Sequence, residues 1–154
     1  MNSTSKNLLS GMTVAAALAI SSSAFAEIVR VESNLEVAES ISRISDAVEN
    51  GGNTVFSIVD FTRGASSVGM ELRPTAAIIF GSPKIGAGAF KVSQDVGLFV
   101  PLKVLAYKDE AGKVWLAYEE PQVKADKFGI PTDHPAIVKM SGALSKMATI
   151  GSGR

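Results

Sequence analysis

The sequence predicts one α+β domain, a two-layer sandwich in which a four- to five-stranded mixed sheet carries helices on one face. Apolar residues spaced four and three apart between positions 37 and 48 indicate an amphipathic helix. A near-continuous apolar run, Thr75 to Phe80, is typical of a strand buried on both faces. Two further apolar runs flank Asp109-Glu110-Ala111-Gly112, a turn of hairpin length.

The N-terminal part of this domain is predicted to read strand, helix, strand. Residues 27–32 contain Ile28, Val29 and Val31 and indicate a short strand. Ser33, followed three residues later by Glu36, has the pattern of a capping box, which predicts Ser33 as the N-cap. The buried face of the helix then consists of Val37, Ile41, Ile44 and Val48. Glycines at 51 and 52 end the helix, and residues 54–61 form the next strand.

The middle of the chain is predicted to turn sharply from a strand into a helix. Gly81 interrupts the apolar strand, Ser82 can cap the following helix, and Pro83 suits its first turn because a proline lacks the N–H. The helix runs to about residue 92 and is weakened by its glycines. Residues 98–108 and 113–118 then form the hairpin.

Two helical segments complete the domain. A short one covers about residues 122–128, and a longer one is capped by Thr132 or Asp133. The apolar face of the longer helix consists of Ile137, Met140, Leu144 and Met147. Residues 150–154 are expected to form a frayed tail.

Residues 1–26 have the layout of a secretory signal peptide. Lys6 supplies positive charge, residues 8–20 are mostly apolar, and Ala24-Phe25-Ala26 places small residues at the −3 and −1 positions of a cleavage site. Cleavage after Ala26 would leave a domain of residues 27–154 that is periplasmic or secreted. The alternative is an uncleaved membrane anchor, although the apolar core is shorter than the ~20 residues of a spanning helix.

The composition excludes several classes of function. Without Lys6 the chain has 14 basic and 15 acidic side chains, so it has no charge excess that would attract nucleic acid or hold it stably at a membrane. It has no cysteine and one histidine, which excludes thiol chemistry, disulfides and Cys/His zinc sites. We therefore expect no cofactor and no metal, and His134 is expected to be a surface residue.

The turn after the buried strand is a candidate ligand site. Gly81, Ser82 and Lys84 lie at a predicted helix N-terminus, where free N–H groups and the lysine would attract an anion. Arg73, at the start of the same strand, is a further candidate for this ligand. The alternative is that these residues only form a tight strand-to-helix turn.

Glu71 is the candidate catalytic residue. It lies two positions from Arg73, so the two side chains point the same way on an extended segment. Burial in a cleft could raise the pKa of a carboxylate at this position and suit it to acid–base catalysis. The alternative is an ion pair that is structural or solvated.

Five stretches of the sequence, in order, resemble the family of domains of unknown function 302, DUF302. They are Thr54-Val55-Phe56 through Asp60, Val68 to Thr75, Ile79 to Lys84, Leu98 with Pro101-Leu102-Lys103, and Gly112 to Tyr118. The resemblance covers about residues 27–130 and implies a small α+β fold that pairs as a homodimer, with no agreed activity. Family members often have histidine where this chain has Phe61 and Phe128.

The sequence therefore predicts an exported, non-catalytic module that binds a small ligand or a partner. The ligand would be a small anionic or apolar molecule near Arg73, Gly81 and Lys84. One alternative is a small enzyme with Glu71 as acid or base and Arg73 or Lys84 as electrostatic stabiliser. Another is a structural or stress-related envelope protein.

Overall fold

The computed structural model describes residues 27–154, which form a two-layer α+β sandwich. The predicted signal peptide, residues 1–26, lies outside the described residues. Short 3₁₀ turns occur at Gln94–Leu98 and Asp126–Phe128. The main elements are β1 (Ile28–Ser33), α1 (Val37–Asn50), β2 (Thr54–Asp60), α2 (Phe61–Ser66), β3 (Thr75–Gly81), α3 (Pro83–Phe90), β4 (Leu102–Lys108), β5 (Val114–Glu119), α4 (Pro121–Ala125) and α5 (Pro135–Gly151).

The five strands form one sheet in the order β1-β5-β4-β3-β2. The α+β class and the strand number agree with the sequence prediction, but every neighbouring pair is antiparallel, so the sheet is not mixed. The reason is the position of β1. A β-α-β unit favours parallel neighbours, whereas β1 pairs with β5 at one edge and β2 lies at the other.

The hydrophobic core lies between the sheet and the helices α1 and α5, which also pack against each other. The apolar faces predicted for both helices are confirmed, since all eight of their named residues are buried. The sheet contributes Ile78, Val104 and Leu116, each with no exposed surface. Burial of such side chains is worth about 1.5–3 kcal/mol each, so this layer contact dominates the stability of the fold.

The start of α1 differs from the prediction. β1 extends to Ser33, and Glu36 occupies the N-cap position without a capping side-chain bond. The Ser33 hydroxyl instead accepts a hydrogen bond from the Leu35 N–H at 3.0 Å and lies 2.9 Å from the Ser40 hydroxyl. Ser33 therefore fastens β1 to α1, because a buried hydroxyl needs hydrogen-bond partners.

The C-terminal helix also differs from the prediction at both ends. Its N-cap is His134, whose Nδ1 accepts a hydrogen bond from the Ala136 N–H at 3.2 Å, rather than Thr132 or Asp133. At the other end, Ser152 is buried and its carbonyl accepts a hydrogen bond from the Asn34 N–H at 2.9 Å. The tail predicted to fray is thus packed against the β1–α1 connection as far as Ser152.

Candidate functional site

The predicted turn from strand to helix occurs at the end of β3. Ser82 is the N-cap of α3 and Pro83 occupies the first turn, as the sequence indicates. The Ser82 hydroxyl makes no capping bond, whereas its carbonyl accepts hydrogen bonds from the N–H groups of Ile85 and Gly86 at 3.0 and 2.9 Å. Lys84 is exposed.

A cavity of about 450 Å³ opens beside this turn. It is bounded by α1, the edge strand β2, the ends of β3 and β4, and the helices α3 and α5. The lining side chains are almost entirely apolar: Val48, Asn53, Phe56, Phe80, Gly81, Ser82, Pro83, Ile85, Gly86, Ala87, Phe90, Val100, Pro101, Leu102, Met140, Ala143 and Met147. Its volume falls within the range of about 300–1,000 Å³ that is usual for small-molecule sites.

The cavity exists because small residues occupy positions where larger ones would fill it. Gly81, Gly86, Ala87 and Ala143 all line it, and a Cβ at Gly86 would meet only the Phe90 ring, at 3.9 Å. Protein interiors are normally close-packed, and voids much larger than a water molecule are few. The site is therefore an apolar recess that a bound molecule could occupy.

Among residues 27–154, none of those that line the cavity carries an ionisable side chain. Asn53 and Ser82 are the two polar side chains among the lining residues. General acid–base catalysis requires a titratable group within hydrogen-bond reach of the reacting atom. The lining therefore suits the binding of an apolar molecule and offers no acid or base.

Arg73 does not join Gly81, Ser82 and Lys84. It precedes β3, whereas the other three lie at its far end, and seven strand residues span about 20 Å. The Arg73 Nε donates a hydrogen bond to the Lys108 carbonyl at 3.1 Å, and an Nη lies 3.8 Å from a Glu110 carboxylate oxygen. Arg73 thus braces the hairpin end of the sheet and cannot share a small ligand with Lys84.

Glu71 lies in the connection between α2 and β3 and is exposed. Within residues 27–154 its carboxylate forms no ion pair, and the salt-bridge partner of Arg73 is Glu110 rather than Glu71. Glu71 also lines neither the apolar cavity nor the second depression described below. Glu71 therefore lies apart from both recesses described for residues 27–154.

Groups with shifted pKa values lie away from the cavity. A hydrogen bond from Lys124 lowers the pKa of Glu27, and hydrogen bonds to Glu119 and Glu27 raise the pKa of Lys124. Burial raises the pKa of Tyr118, and the indole N–H of Trp115 lowers the pKa of Asp109 by donating a hydrogen bond at 2.8 Å. The Lys124 contact joins α4 to the residue before β1, the Trp115 contact closes the hairpin turn, and Tyr118 lies in the core. Each shift thus has a structural cause.

The sheet face opposite α1 and α5 is the second surface of interest. A row of Ala77, Leu105 and Ala117 crosses it, and a depression of about 490 Å³ extends along it past Ile79 and Lys103. Trp115 lies on this face opposite Tyr107, whereas Tyr118 is in the core, so Trp115 and Tyr118 face opposite sides of β5.

Among residues 27–154, no cluster of three or more histidine, aspartate or glutamate side chains is arranged to hold a metal ion. None of the helices in this part of the chain combines the length and the apolar character of a membrane span.

The turn follows from the sequence pattern, whereas the cavity does not. Gly81 interrupts the strand, Ser82 and Pro83 suit the start of a helix, and all three line the cavity. The residues opposite them are core residues by pattern, since Met140 and Met147 lie on the apolar face of α5. The small residues Gly86 and Ala87 are the sequence signal for the cavity, because they leave α3 without large side chains to pack against its neighbours.

These features define a small α+β domain with an apolar recess at one end of an antiparallel sheet. The chain belongs to the family described as domain of unknown function DUF302, whose model matches residues 29–147. The crystal structure of an uncharacterised conserved DUF302 protein from Bacillus stearothermophilus has the same fold. The superposition of the two structures has a TM-score of 0.71 at 17% sequence identity, and it covers 80% of this chain and 96% of the Bacillus chain.

The curated relatives that this chain matches are named as fluoride-specific ion channels. The chain is 37% identical over 125 residues to the Fluoride-specific ion channel FluC 1 of Brucella suis biovar 1, covering 79% of this chain and 49% of that protein. It is equally similar to the Fluoride-specific ion channel FluC 2 of Brucella melitensis biotype 1, of which 46% is covered. The chain thus spans about half the length of the curated relatives it matches.

Proposed function

We propose that this protein is a non-catalytic binding module for a small apolar molecule, held in the cavity between α3, α5 and the end of the sheet. The observation that carries the proposal is the apolar lining of a cavity of about 450 Å³. Transfer of apolar surface from water gives about 25 cal/mol per Å². An apolar ligand therefore gains affinity from the lining itself.

An anionic ligand would have to keep its charge at the turn. Within the cavity a carboxylate or phosphate would lose its hydration and meet no cationic side chain, which is costly. Outside it, Lys84 and the N-terminus of α3 are available to an anion. The apolar interaction is thus the principal one, and an anion at Lys84 would be an addition to it.

The proposal is tested by titration of the mature protein with N-phenyl-1-naphthylamine, a neutral dye whose emission rises in apolar surroundings. We expect saturable binding to the folded protein and a rise in melting temperature, because a ligand at 100 times its Kd stabilises the folded state by about 2.7 kcal/mol. Lys84→Ala and Arg73→Ala should bind the dye as the unaltered chain does. Dye binding that is absent or not saturable would refute the proposal.

The variants Lys84→Ala and Arg73→Ala also test whether an anion binds at the turn. If inorganic phosphate raises the melting temperature through the turn, Lys84→Ala should remove the rise. Arg73→Ala should preserve it, since Arg73 lies about 20 Å away along β3. Equal loss in both variants would exclude a local site at Gly81, Ser82 and Lys84.

We further propose that the module acts outside the cytoplasm, in the periplasm or as a secreted protein. The support is the signal-peptide pattern of residues 1–26, with its small residues before Glu27. Intact mass spectrometry of the protein made in a bacterial host should give a chain that begins at Glu27. A chain that begins at Met1 would contradict export with cleavage.

A homodimer is the assembly we propose. The open sheet face supports it with the apolar row of Ala77, Leu105 and Ala117, which lies beside the aromatic pair Tyr107 and Trp115. Sedimentation equilibrium should give twice the mass of the mature chain, and Leu105→Glu should lower it to one copy. A single copy at all concentrations would contradict the assembly.

A second candidate function is an accessory role in fluoride tolerance. The observation that favours it is the 37% identity to proteins named as fluoride-specific ion channels, of which this chain spans about half. The test uses a bacterial strain that lacks its own fluoride exporter. When the Brucella suis relative is co-expressed, we expect this chain to raise fluoride tolerance above the level given by the relative without it. Expressed without the relative, this chain should not raise tolerance. If co-expression gives no more tolerance than the relative without this chain, the candidate is removed.

A further inference from the structure

The apolar cavity is elongated along two helices. Met140, Ala143 and Met147 form one stripe of α5, and seven helical residues rise about 10 Å. On the other side the lining extends along α3 from Pro83 to Phe90, which is the same length. A recess of this length and of about 450 Å³ can hold an extended alkyl chain that lies along both helices.

The wall of the cavity can adapt to a flexible ligand. The two methionines of the α5 stripe are unbranched and have three rotatable bonds, so they adjust to irregular contacts. On the opposite wall Gly86 and Ala87 present no side chain beyond Cβ. A ligand with several conformers can therefore be accommodated at little cost in strain.

The rim of the cavity contains two of the exposed large apolar side chains of this fold. Phe56 is 54% exposed and Phe90 is 42% exposed, and both line the cavity. Phe56 lies on the edge strand β2 and Phe90 ends α3, so the two rings come from different elements of the wall. Large apolar groups at the mouth of an apolar recess favour the entry of an apolar chain.

We infer that the cavity takes the unbranched alkyl chain of a free small amphiphile, with any polar group of that molecule left at the rim beside Ser82. This inference rests on the proposed function and deepens it. The alkyl chain of the ligand supplies the binding energy, because the lining residues include no ionisable side chain and their polar side chains are Asn53 and Ser82. A headgroup contributes little, since it remains in contact with water.

The experiment is displacement of N-phenyl-1-naphthylamine by 1-alkanols from hexanol to dodecanol, each kept below its solubility limit. A buried methylene is worth about 0.8 kcal/mol, so the affinity should rise about four-fold per added carbon until the cavity is full and then level off. Carboxylates of the same chain lengths should show the same step per carbon. An affinity that does not depend on chain length overturns the inference.

The outcomes separate this inference from the proposed function. If the dye binds but no alkanol displaces it, the alkyl-chain assignment fails while an apolar binding site remains. If neither the dye nor any alkanol binds, both fail. Co-sedimentation with neutral phosphatidylcholine vesicles is the final arm: protein in the supernatant supports a free ligand, whereas protein in the pellet overturns that part of the inference.

Discussion

Replacement of Ile44 by alanine is expected to lower the free energy of unfolding by about 2–5 kcal/mol, the usual cost of truncating a fully buried isoleucine. Ile44 has no exposed surface and lies on the buried face of α1. Urea denaturation of the mature protein measures the effect. A loss below about 1 kcal/mol would contradict the packing of α1 against α5 and the sheet.

The same side chain explains why position 151 is glycine. A Cβ built on Gly151 would lie 2.6 Å from Cγ1 and 2.7 Å from Cδ1 of Ile44. Gly151→Ala alone should therefore destabilise the protein by about 1–3 kcal/mol, as overpacking does. In the Ile44→Ala background both clashing atoms are absent, so we expect Gly151→Ala to cost at least about 1 kcal/mol less than it does alone.

Gly142→Ala is the matched control on the same helix. A Cβ at Gly142 would meet no atom within 4 Å, so alanine should stabilise α5 by about 0.5–1 kcal/mol through helix propensity alone. Its effect should be the same in the unaltered chain and in the Ile44→Ala background. If the losses of unfolding free energy caused by Ile44→Ala and Gly151→Ala simply add in the double variant, Gly151 does not approach Ile44 as closely as described.

Ala143→Leu is expected to lower the affinity for N-phenyl-1-naphthylamine at least about ten-fold, or 1.4 kcal/mol. Ala143 lies on α5 and its side chain lines the cavity, so three more carbon atoms would occupy the space that the ligand needs. The matched control is Gly142→Leu, which adds a leucine to open space on the same helix and should bind the dye as the unaltered chain does.

A second blocking variant covers a failure of Ala143→Leu to fold. Ala87 lines the cavity from the α3 side and is itself exposed. Ala87→Leu should therefore lower the affinity without disturbing the core. If the blocking variants and Gly142→Leu all bind the dye equally, the dye occupies some other place and the proposed site is wrong.

The local parts of the fold could be predicted because they follow from neighbouring residues. The stripe from Val37 to Val48 and the Ser82-Pro83 turn depend on helical period and on capping chemistry. The turn before β5 likewise depends on local geometry, and Gly112 there has a φ of +81°. The structure agrees with the sequence at each of these places.

The non-local parts could not be predicted from the sequence pattern. Nothing local places β1 beside β5, since their contact joins residues about 90 positions apart along the chain, as in Ile28 and Glu119. The same reason applies to Ser33, which pairs with distant Val114 at the end of β1 and so does not begin the helix. Capping chemistry alone could not separate these contacts from a helix start.

The candidate site was predicted in part for a similar reason. Charge and capping selected Gly81, Ser82 and Lys84, which do lie together. Arg73 was grouped with them although a full strand separates them. The apolar cavity is formed by packing between α3, α5 and the sheet, so no motif could reveal it. Of the anionic and apolar ligands that the sequence leaves open, the apolar lining favours the second, which is the one we propose.

The most direct test of the apolar site is NMR of the mature protein with ¹³C-labelled methionine methyl groups, titrated with 1-octanol. The mature chain has three methionines: Met140 and Met147 line the cavity, whereas Met70 is exposed and outside it. We predict saturable shifts of the Met140 and Met147 methyl signals with one common Kd, and no shift for Met70. Unchanged Met140 and Met147 signals, or a shift of Met70 of the same size, would contradict an apolar ligand site in this cavity.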